Sequence, residues 1–405
     1  MPEKHNFTGY QKFVVAVLAF LQFTIILDFM IIAPLGAILM PALSITPAQF
    51  GWVVSAYAFS AGASGLLAAG FADRFDRKKF LLFFYAGFVL STLFCGLAPT
   101  YPFLLAARMM TGVFAGVIGS IVLAIIADLF TFDQRGRVMG FVQTAFAASQ
   151  ILGLPAGLYF ANGWGWHAPF LMIVSVSAAV GVVIWLKLKP VDQHLKLRLD
   201  HSPLHHLRTT VTIPKYLLAF STTAFLTLGG FMLMPFSSAF FVHNLGVSFE
   251  QLPLAYLIGG ICTIFVGPLV GRASDYFGKF KVFCFGVSVT IVMVTIYTHL
   301  GITPFPVVVL VNVLLFAGIF SRMIPSQALM SAIPSPENRG SFMSVNSSLQ
   351  QMSGGVASVI AGMIVYEAAD GKIMNFDVLG YILIGTALIT TVQMYFIHKL
   401  VPDKK

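Results

Sequence analysis

Charged residues are scarce in this sequence. Of its 405 residues only 10% are Asp, Glu, Lys or Arg, whereas 58% are hydrophobic and the mean hydropathy is +0.88. Soluble domains contain about 25% charged residues. A soluble globular domain is therefore excluded, and the lipid bilayer is the expected environment of the chain.

Cysteines and catalytic motifs are also few. Cys95, Cys262 and Cys284 lie in apolar runs without paired spacing. We therefore expect buried thiols, no disulfide framework and no metal site. The sequence has no nucleotide-binding loop and no convincing set of acid, base and nucleophile. It predicts a protein that is not an enzyme and has no cofactor.

Twelve apolar runs make up most of the chain. Each is roughly 18–28 residues long, enough for a helix to cross about 30 Å of hydrocarbon. They lie near residues 13–35, 50–71, 80–98, 103–129, 138–160, 168–187, 216–242, 252–271, 282–300, 305–333, 341–366 and 376–399.

Lys and Arg are distributed unevenly between the loops that connect these runs. With the N-terminus in the cytoplasm, Lys372 is the one basic residue in an outer loop, and Arg108 and Arg322 lie within spans. All other basic residues fall in inner loops or at the inner edges of spans, which is the positive-inside pattern. The net charge of +9 is thus a topology signal and does not indicate nucleic acid. It predicts a multi-pass plasma (inner) membrane protein with both termini in the cytoplasm.

A dense cluster of charges separates the second and third runs. The segment Gly70–Lys79 reads GFADRFDRKK and must lie at a membrane surface, because charge inside hydrocarbon is costly. Its Asp-Arg-x-x-Arg-Lys pattern resembles the hallmark loop of the major facilitator superfamily of secondary transporters. Asp76 and Ala69 stand where that family usually has glycine.

Two loops of the first half recur in the second. The charged loop reappears as GRASDYFGK at Gly271–Lys279, about 200 residues later, and DQRGRVM at Asp133–Met139 reappears as ENRGSFM at Glu337–Met343. A duplicated six-span unit is the architecture of the superfamily. We therefore predict an all-α membrane protein with twelve transmembrane helices in two pseudo-symmetric six-helix bundles, residues 1–187 and 216–405, joined by a cytoplasmic linker at 188–215.

The resemblance implies that the charged loops form a gate. In that interpretation the Asp73 carboxylate meets the N-terminal dipole of the eleventh span, and Arg74 and Arg77 reach Asp128. The alternative is that the basic residues only anchor the topology. The predicted gate residues are Asp73, Arg74, Arg77, Lys78, Asp128 and Asp275.

Asp28 is the only acidic residue deep inside a span. Insertion of such a charge costs about 2.5–3.5 kcal/mol, so a functional role is the default interpretation. Arg108, in the fourth span, lies at a comparable depth and within a pattern that resembles the Arg-x-x-x-Gly motif of proton-coupled superfamily members. We predict that Asp28 and Arg108 are partners in proton coupling; a purely structural ion pair is the alternative.

Polar and small residues mark other spans. Gly153, Pro155 and Gly157 in the fifth span resemble the Gly-x-Pro-x-Gly element of drug and sugar efflux members, although helix packing alone would also explain them. Arg322 either binds an anionic group of the substrate or extends its charge to the inner surface. The further candidates for a substrate cavity, or for helix–helix bonds, are Asn312, which is equivalent to Arg108 in the second half, Gln143, Gln150, Asn346 and Gln350.

Together these features predict a secondary active transporter that works by alternating access. Its partners are a small, lipophilic or amphipathic substrate, protons and the lipid bilayer, and the protein is expected to be a monomer. The resemblance to drug:proton antiporters favours proton-coupled efflux. A proton-coupled sugar or metabolite carrier, a lysolipid flippase and a non-transporting receptor of the same fold remain as alternatives.

Overall fold

Helices account for nearly all of the structure, which is a computed structural model that describes residues 7–68, 75–192, 212–335 and 339–401. The first half contains α1 (Gly9–Ile31), α2 (Gly36–Leu43), α3 (Pro47–Ala68), α4 (Arg77–Gly96), α5 (Tyr101–Leu129), α6 (Phe132–Ala148), α7 (Leu154–Trp164) and α8 (Ala168–Lys187), with a π-helical turn at Ser149–Gly153 between α6 and α7. The second half contains α9 (Pro214–Met232), α10 (Ser237–His243), α11 (Leu252–Phe277), α12 (Lys279–Thr298), α13 (Phe305–Ser331), α14 (Arg339–Ile364) and α15 (Phe376–Leu400), with a 3₁₀ turn at Met234–Phe236.

A short antiparallel hairpin joins α14 to α15. Its strands are β1 (Tyr366–Glu367) and β2 (Ile373–Met374), and Tyr366 pairs with Met374. This hairpin lies at the end of the bundle opposite to the first residues of α1 and the last of α15. We call these the hairpin end and the termini end.

Eleven helical segments in the described part of the chain are long and apolar enough to cross a membrane. Two of them are composite: α6, the π turn and α7 form the fifth span, and α9, the 3₁₀ turn and α10 form the seventh. The remaining predicted span corresponds to α14, a helix of 26 residues. Its run of Asn, Ser and Gln side chains makes α14 less apolar than the other spans.

The two halves use the same pattern of helix packing. In the first half, α1 packs on α6 and α8, α5 packs on α3 and α4, and α4 packs on α8. In the second half, the equivalent helices do the same: α9 packs on α14 and α15, α13 packs on α11 and α12, and α12 packs on α15. The sequence repeat is therefore also a structural repeat.

The largest helix contacts between the halves are those of α3 with α14 and of the π turn and α7 with α11, and α2 also packs on α10. Glycines allow the first pair to approach at the level of the backbone. A Cβ on Gly51 would lie 2.5 Å from the Ser358 carbonyl oxygen, and one on Gly362 would lie 2.7 Å from the Pro47 carbonyl oxygen. Both distances are shorter than a van der Waals contact, so only glycine fits at these positions.

The halves meet most closely at the hairpin end. There Ser238 Oγ donates to the Ala33 carbonyl oxygen at 2.9 Å, and Asn162 Nδ2 donates to the Phe249 carbonyl oxygen at 2.7 Å. One apolar core at this end contains side chains from both halves. Towards the termini end each half has a separate core of its own. The described contacts therefore close the hairpin end of the space between the halves.

Candidate functional site

A buried ion pair lies inside the first half, where α1, α4 and α5 meet. Arg108 Nη1 donates to Asp28 Oδ2 at 2.8 Å and to the Asp28 carbonyl oxygen at 3.3 Å. Thr92 Oγ1 donates to the other carboxylate oxygen at 3.3 Å. Both charged side chains are 0% exposed. The structure thus brings together the two residues that the sequence places at one depth.

The ring of Tyr57 also lies against the guanidinium. Its centroid is 4.6 Å from Arg108 Cζ, a cation–π contact from α3. Arg108 Nε and Nη2 are buried and have no hydrogen-bond partner among the described residues. Neither Tyr57 nor Thr92 is predictable as a site residue from the sequence, because one Tyr or Thr in an apolar span carries no signal of its own.

Aromatic side chains connect this pair to the second half. The Phe29 ring is 5.3 Å from the Tyr57 ring and 6.0 Å from the Phe231 ring of α9, measured between centroids. Phe29 directly follows Asp28 on α1. A displacement of α1 would therefore disturb the ion pair and the contact between the halves together.

The fifth-span motif packs against the same helix. A Cβ on Gly153 would lie 2.6 Å from Leu27 Cδ1, and one on Gly157 would lie 2.6 Å from Ile31 Cδ1. Pro155 lies in the first turn of α7, directly after the π turn, and it has no N–H to donate to that preceding turn. The α1 side chains on either side of Asp28 thus pack against the two glycines. The π turn Ser149–Gly153 lies at the start of this contact.

The predicted gate is described in part. Asp73 and Arg74 lie outside the described residues, so their predicted contacts are not observed. Arg77 Nε is 3.1 Å from Asp128 Oδ2, as the family resemblance implies, and Lys78 Nζ donates to the Trp185 carbonyl oxygen at 2.9 Å. In the second half, Asp275 is largely exposed and 3.9 Å from Lys279 Nζ.

Asp76 has a role that the family resemblance does not imply. It stands where the resemblance leads one to expect glycine, and it caps α4: Oδ1 accepts from the Lys79 backbone N–H at 2.8 Å. Oδ2 accepts from the Val191 backbone N–H at 3.0 Å. Asp76 therefore ties the charged loop to the segment that follows α8.

The candidate cavity residues do not form one constellation. Gln150 Oε1 lies 3.5 Å from Thr263 Oγ1 of α11, across the two halves, whereas Asn346 Oδ1 accepts from Thr223 Oγ1 at 2.6 Å within the second half. The others are dispersed: Gln143 is exposed on α6, Asn312 and Gln350 are half-buried on α13 and α14, and Arg322 is 2% exposed on α13.

Comparison with known proteins identifies the family. The family model for the Major Facilitator Superfamily matches residues 18–358 and 219–405, which together cover nearly the whole chain. The chain belongs to the Major Facilitator Superfamily. It is therefore a multi-pass membrane transporter, and the predicted family is confirmed.

Relatives and solved structures agree with this assignment. The MFS-type transporter YceJ of Bacillus subtilis strain 168 is 27% identical over 367 residues, covering 89% of this chain and 92% of YceJ. Multidrug resistance protein 2 of the same organism is 26% identical over 280 residues, covering 66% of this chain and 68% of that protein. The crystal structure of a D-xylose–proton symporter is similar with a TM-score of 0.77 at 16% identity, covering 98% of this chain and 99% of the symporter. The predicted major facilitator fold, with its two pseudo-symmetric bundles, is confirmed.

Proposed function

We propose that this superfamily member couples proton uptake to the efflux of a small lipophilic or amphipathic molecule. The observation that carries the proposal is the Asp28–Arg108 pair, which is fully buried and 2.8 Å apart. Arginine stays charged in proteins, so the carboxylate is the member of the pair that can take up and release a proton.

The coupling follows from the placement of the pair on different helices. A movement of α1 relative to α5 lengthens the Asp28–Arg108 distance and removes the cation that stabilises the carboxylate. Protonation then becomes easier, and the proton is released when the pair re-forms. Because Phe29, Tyr57 and Phe231 link α1 to the second half, the same movement accompanies a change in the contact between the halves.

Efflux is favoured over uptake by two features. The first is the Gly153-Leu154-Pro155-Ala156-Gly157 element, which packs against the helix that carries Asp28. The second is the name of one relative, a multidrug resistance protein. We further propose a monomer in the plasma membrane with cytoplasmic termini, six-helix bundles at 1–187 and 216–405, and a linker at 188–215. In that orientation the hairpin end faces outwards.

The test is uphill transport in proteoliposomes under an imposed pH difference, with a panel of lipophilic cations, sugars and lysolipids. Asp28→Asn preserves shape but cannot titrate, so we expect accumulation against a gradient to be abolished while substrate binding survives. Asp370→Asn makes the same chemical change on an exposed carboxylate of the hairpin loop, and it should transport like the parent protein. Accumulation by Asp28→Asn at the parent level would refute the proposed coupling.

A further inference from the structure

Arg322 is a buried cation without a counter-charge among the described residues. It is 2% exposed, and its Nε and Nη2 atoms are enclosed and have no hydrogen-bond partner there. By contrast, the buried Arg77 and Arg108 each contact a carboxylate. Because a guanidinium does not lose its proton in proteins, the charge of Arg322 remains, and no carboxylate among the described residues compensates it.

Neighbouring residues of α13 show which way Arg322 points. Four residues before it, Gly318 faces α12, since a Cβ there would lie 2.8 Å from Thr290 Oγ1. Eight residues after it, Met330 faces α9, since its sulfur lies 3.1 Å from the Thr223 hydroxyl. At about 3.6 residues per turn, Arg322 lies between these two directions. Its side chain therefore enters the interior of the second half, between α9, α12 and α13.

The repeat relates this position to the ion pair of the first half. The helices equivalent to α9, α12 and α13 are α1, α4 and α5, and these three supply Asp28, Thr92 and Arg108. Each half thus holds a buried arginine among equivalent helices. Within the described parts of the chain, only the first half also supplies a carboxylate to it.

Arg322 does not extend its charge to the membrane surface. A snorkelling arginine places its guanidinium in water, but this one is enclosed. Side chains on a helix lean towards its N-terminus, and α13 begins at the hairpin end, away from the termini end. Towards the termini end, an apolar cluster that includes Phe220, Phe283 and Leu329 lies below it.

We propose that Arg322 binds an anionic group of the transported molecule, so that the substrates include amphipathic anions with a carboxylate, sulfonate or phosphate head. This inference rests on the proposed transport function. The helices α9 and α13 touch each other only over a short stretch, and the proposal requires the substrate to reach Arg322 between them, from the space between the halves. The planar guanidinium presents paired N–H groups that match such oxyanions, and the apolar surroundings accept the rest of the molecule.

The proposal is tested by measuring the affinity of the purified protein, in a neutral detergent, for decanoate and for decanamide. These two probes have the same chain length and differ in charge. The parent protein should bind decanoate more tightly. Arg322→Gln should weaken decanoate binding by roughly ten- to a hundredfold, the effect of losing hydrogen bonds to a charged group, and leave decanamide unchanged. Arg339→Gln, which removes an exposed arginine at the start of α14, should bind both probes like the parent.

A thermal unfolding measurement separates ligand binding from a structural role. Since the charge lacks a partner in the described structure, Arg322→Gln should keep or raise the Tm. A lower Tm together with equal weakening of both probes would show that Arg322 supports the fold and would overturn the proposal. Equal decanoate affinity in parent and Arg322→Gln would also overturn it.

A lipid headgroup offers the same chemistry from another source. One contrary result is that phosphatidylglycerol in nanodiscs stabilises the parent protein but not Arg322→Gln, while decanoate binds both proteins equally. That result would overturn the assignment to a transported molecule. These assays need no gradient, so they are independent of proton coupling. Asp28→Asn should bind decanoate like the parent, whether or not its uphill transport is lost.

Discussion

The close approach of α3 and α14 predicts how the hairpin end can be opened by a single methyl group. In Gly51→Ala the new Cβ would lie 2.5 Å from the Ser358 carbonyl oxygen, whereas ordinary contacts of this kind exceed about 3.4 Å. The helices must therefore separate by roughly 1 Å there. Overpacking of this kind costs about 1–3 kcal/mol.

That cost falls on conformations in which the hairpin end is closed. If an open conformation relieves it, the ratio of open to closed molecules rises by about five- to 150-fold, since 1.4 kcal/mol is a factor of ten. The effect should appear at the hairpin end specifically. It should leave the Asp28–Arg108 pair in place, because Gly51 does not contact either residue.

Maleimide labelling of Ala37→Cys measures this opening. Ala37 lies on α2 within the shared apolar core at the hairpin end and is 1% exposed. In detergent, with the three native cysteines replaced by serine, Gly51→Ala should accelerate labelling by the factor given above. Gly385→Ala is the matched control, because a Cβ at Gly385 meets nothing within 4 Å. Labelling of Gly51→Ala at the parent rate would refute the argument that this helix contact closes the hairpin end.

Substitutions at three further positions test contacts around the ion pair and in the charged loop. Tyr57→Phe keeps the ring over Arg108 and should transport like the parent. Tyr57→Leu loses a cation–π contact of about 0.5–2 kcal/mol and should lower both the Tm and the rate of proton-driven transport. Equal transport rates for the two variants would contradict this role of the ring. Asp76→Ala removes the cap of α4 and should lower the free energy of unfolding by about 0.5–2 kcal/mol, measured by denaturant titration, and an unchanged value would exclude the cap as a stabilising contact. Asp73→Asn should slow transport without reducing the amount of folded, inserted protein; transport at the parent rate would argue against the predicted gate.

Depth within the membrane can be predicted from sequence because a helix rises by about 1.5 Å per residue. Counting from the ends of the apolar runs places Asp28 and Arg108 at one level, and in the structure they are 2.8 Å apart. The side-by-side arrangement of helices has no such local rule. Thr92 and Tyr57 join the pair only because α4 and α3 pack beside α1 and α5, and this packing depends on residues far apart in the chain.

Polar side chains within spans also show that the sequence does not predict which helices lie side by side. The sequence predicts that Asn346 either lines a cavity or bonds another helix, and the structure places it 2.6 Å from Thr223 on α9. Gln143, with a similar side chain, is exposed on α6. Spacing along one helix cannot separate these cases, because it does not show which neighbour each face of the helix meets.

The position of α1 links the main elements of the proposed mechanism. On one side Leu27 and Ile31 occupy the space left by Gly153 and Gly157, and on another Asp28 is held by Arg108. Packing into the glycines is apolar and does not depend on protonation, whereas the contact with Arg108 is weakened when the carboxylate binds a proton. In the proposed mechanism, protonation of Asp28 therefore favours a displacement of α1 along the surface of the fifth span. The proposed mechanism needs one titratable carboxylate on a helix that moves relative to its neighbours, and Asp28 of α1 would supply that carboxylate.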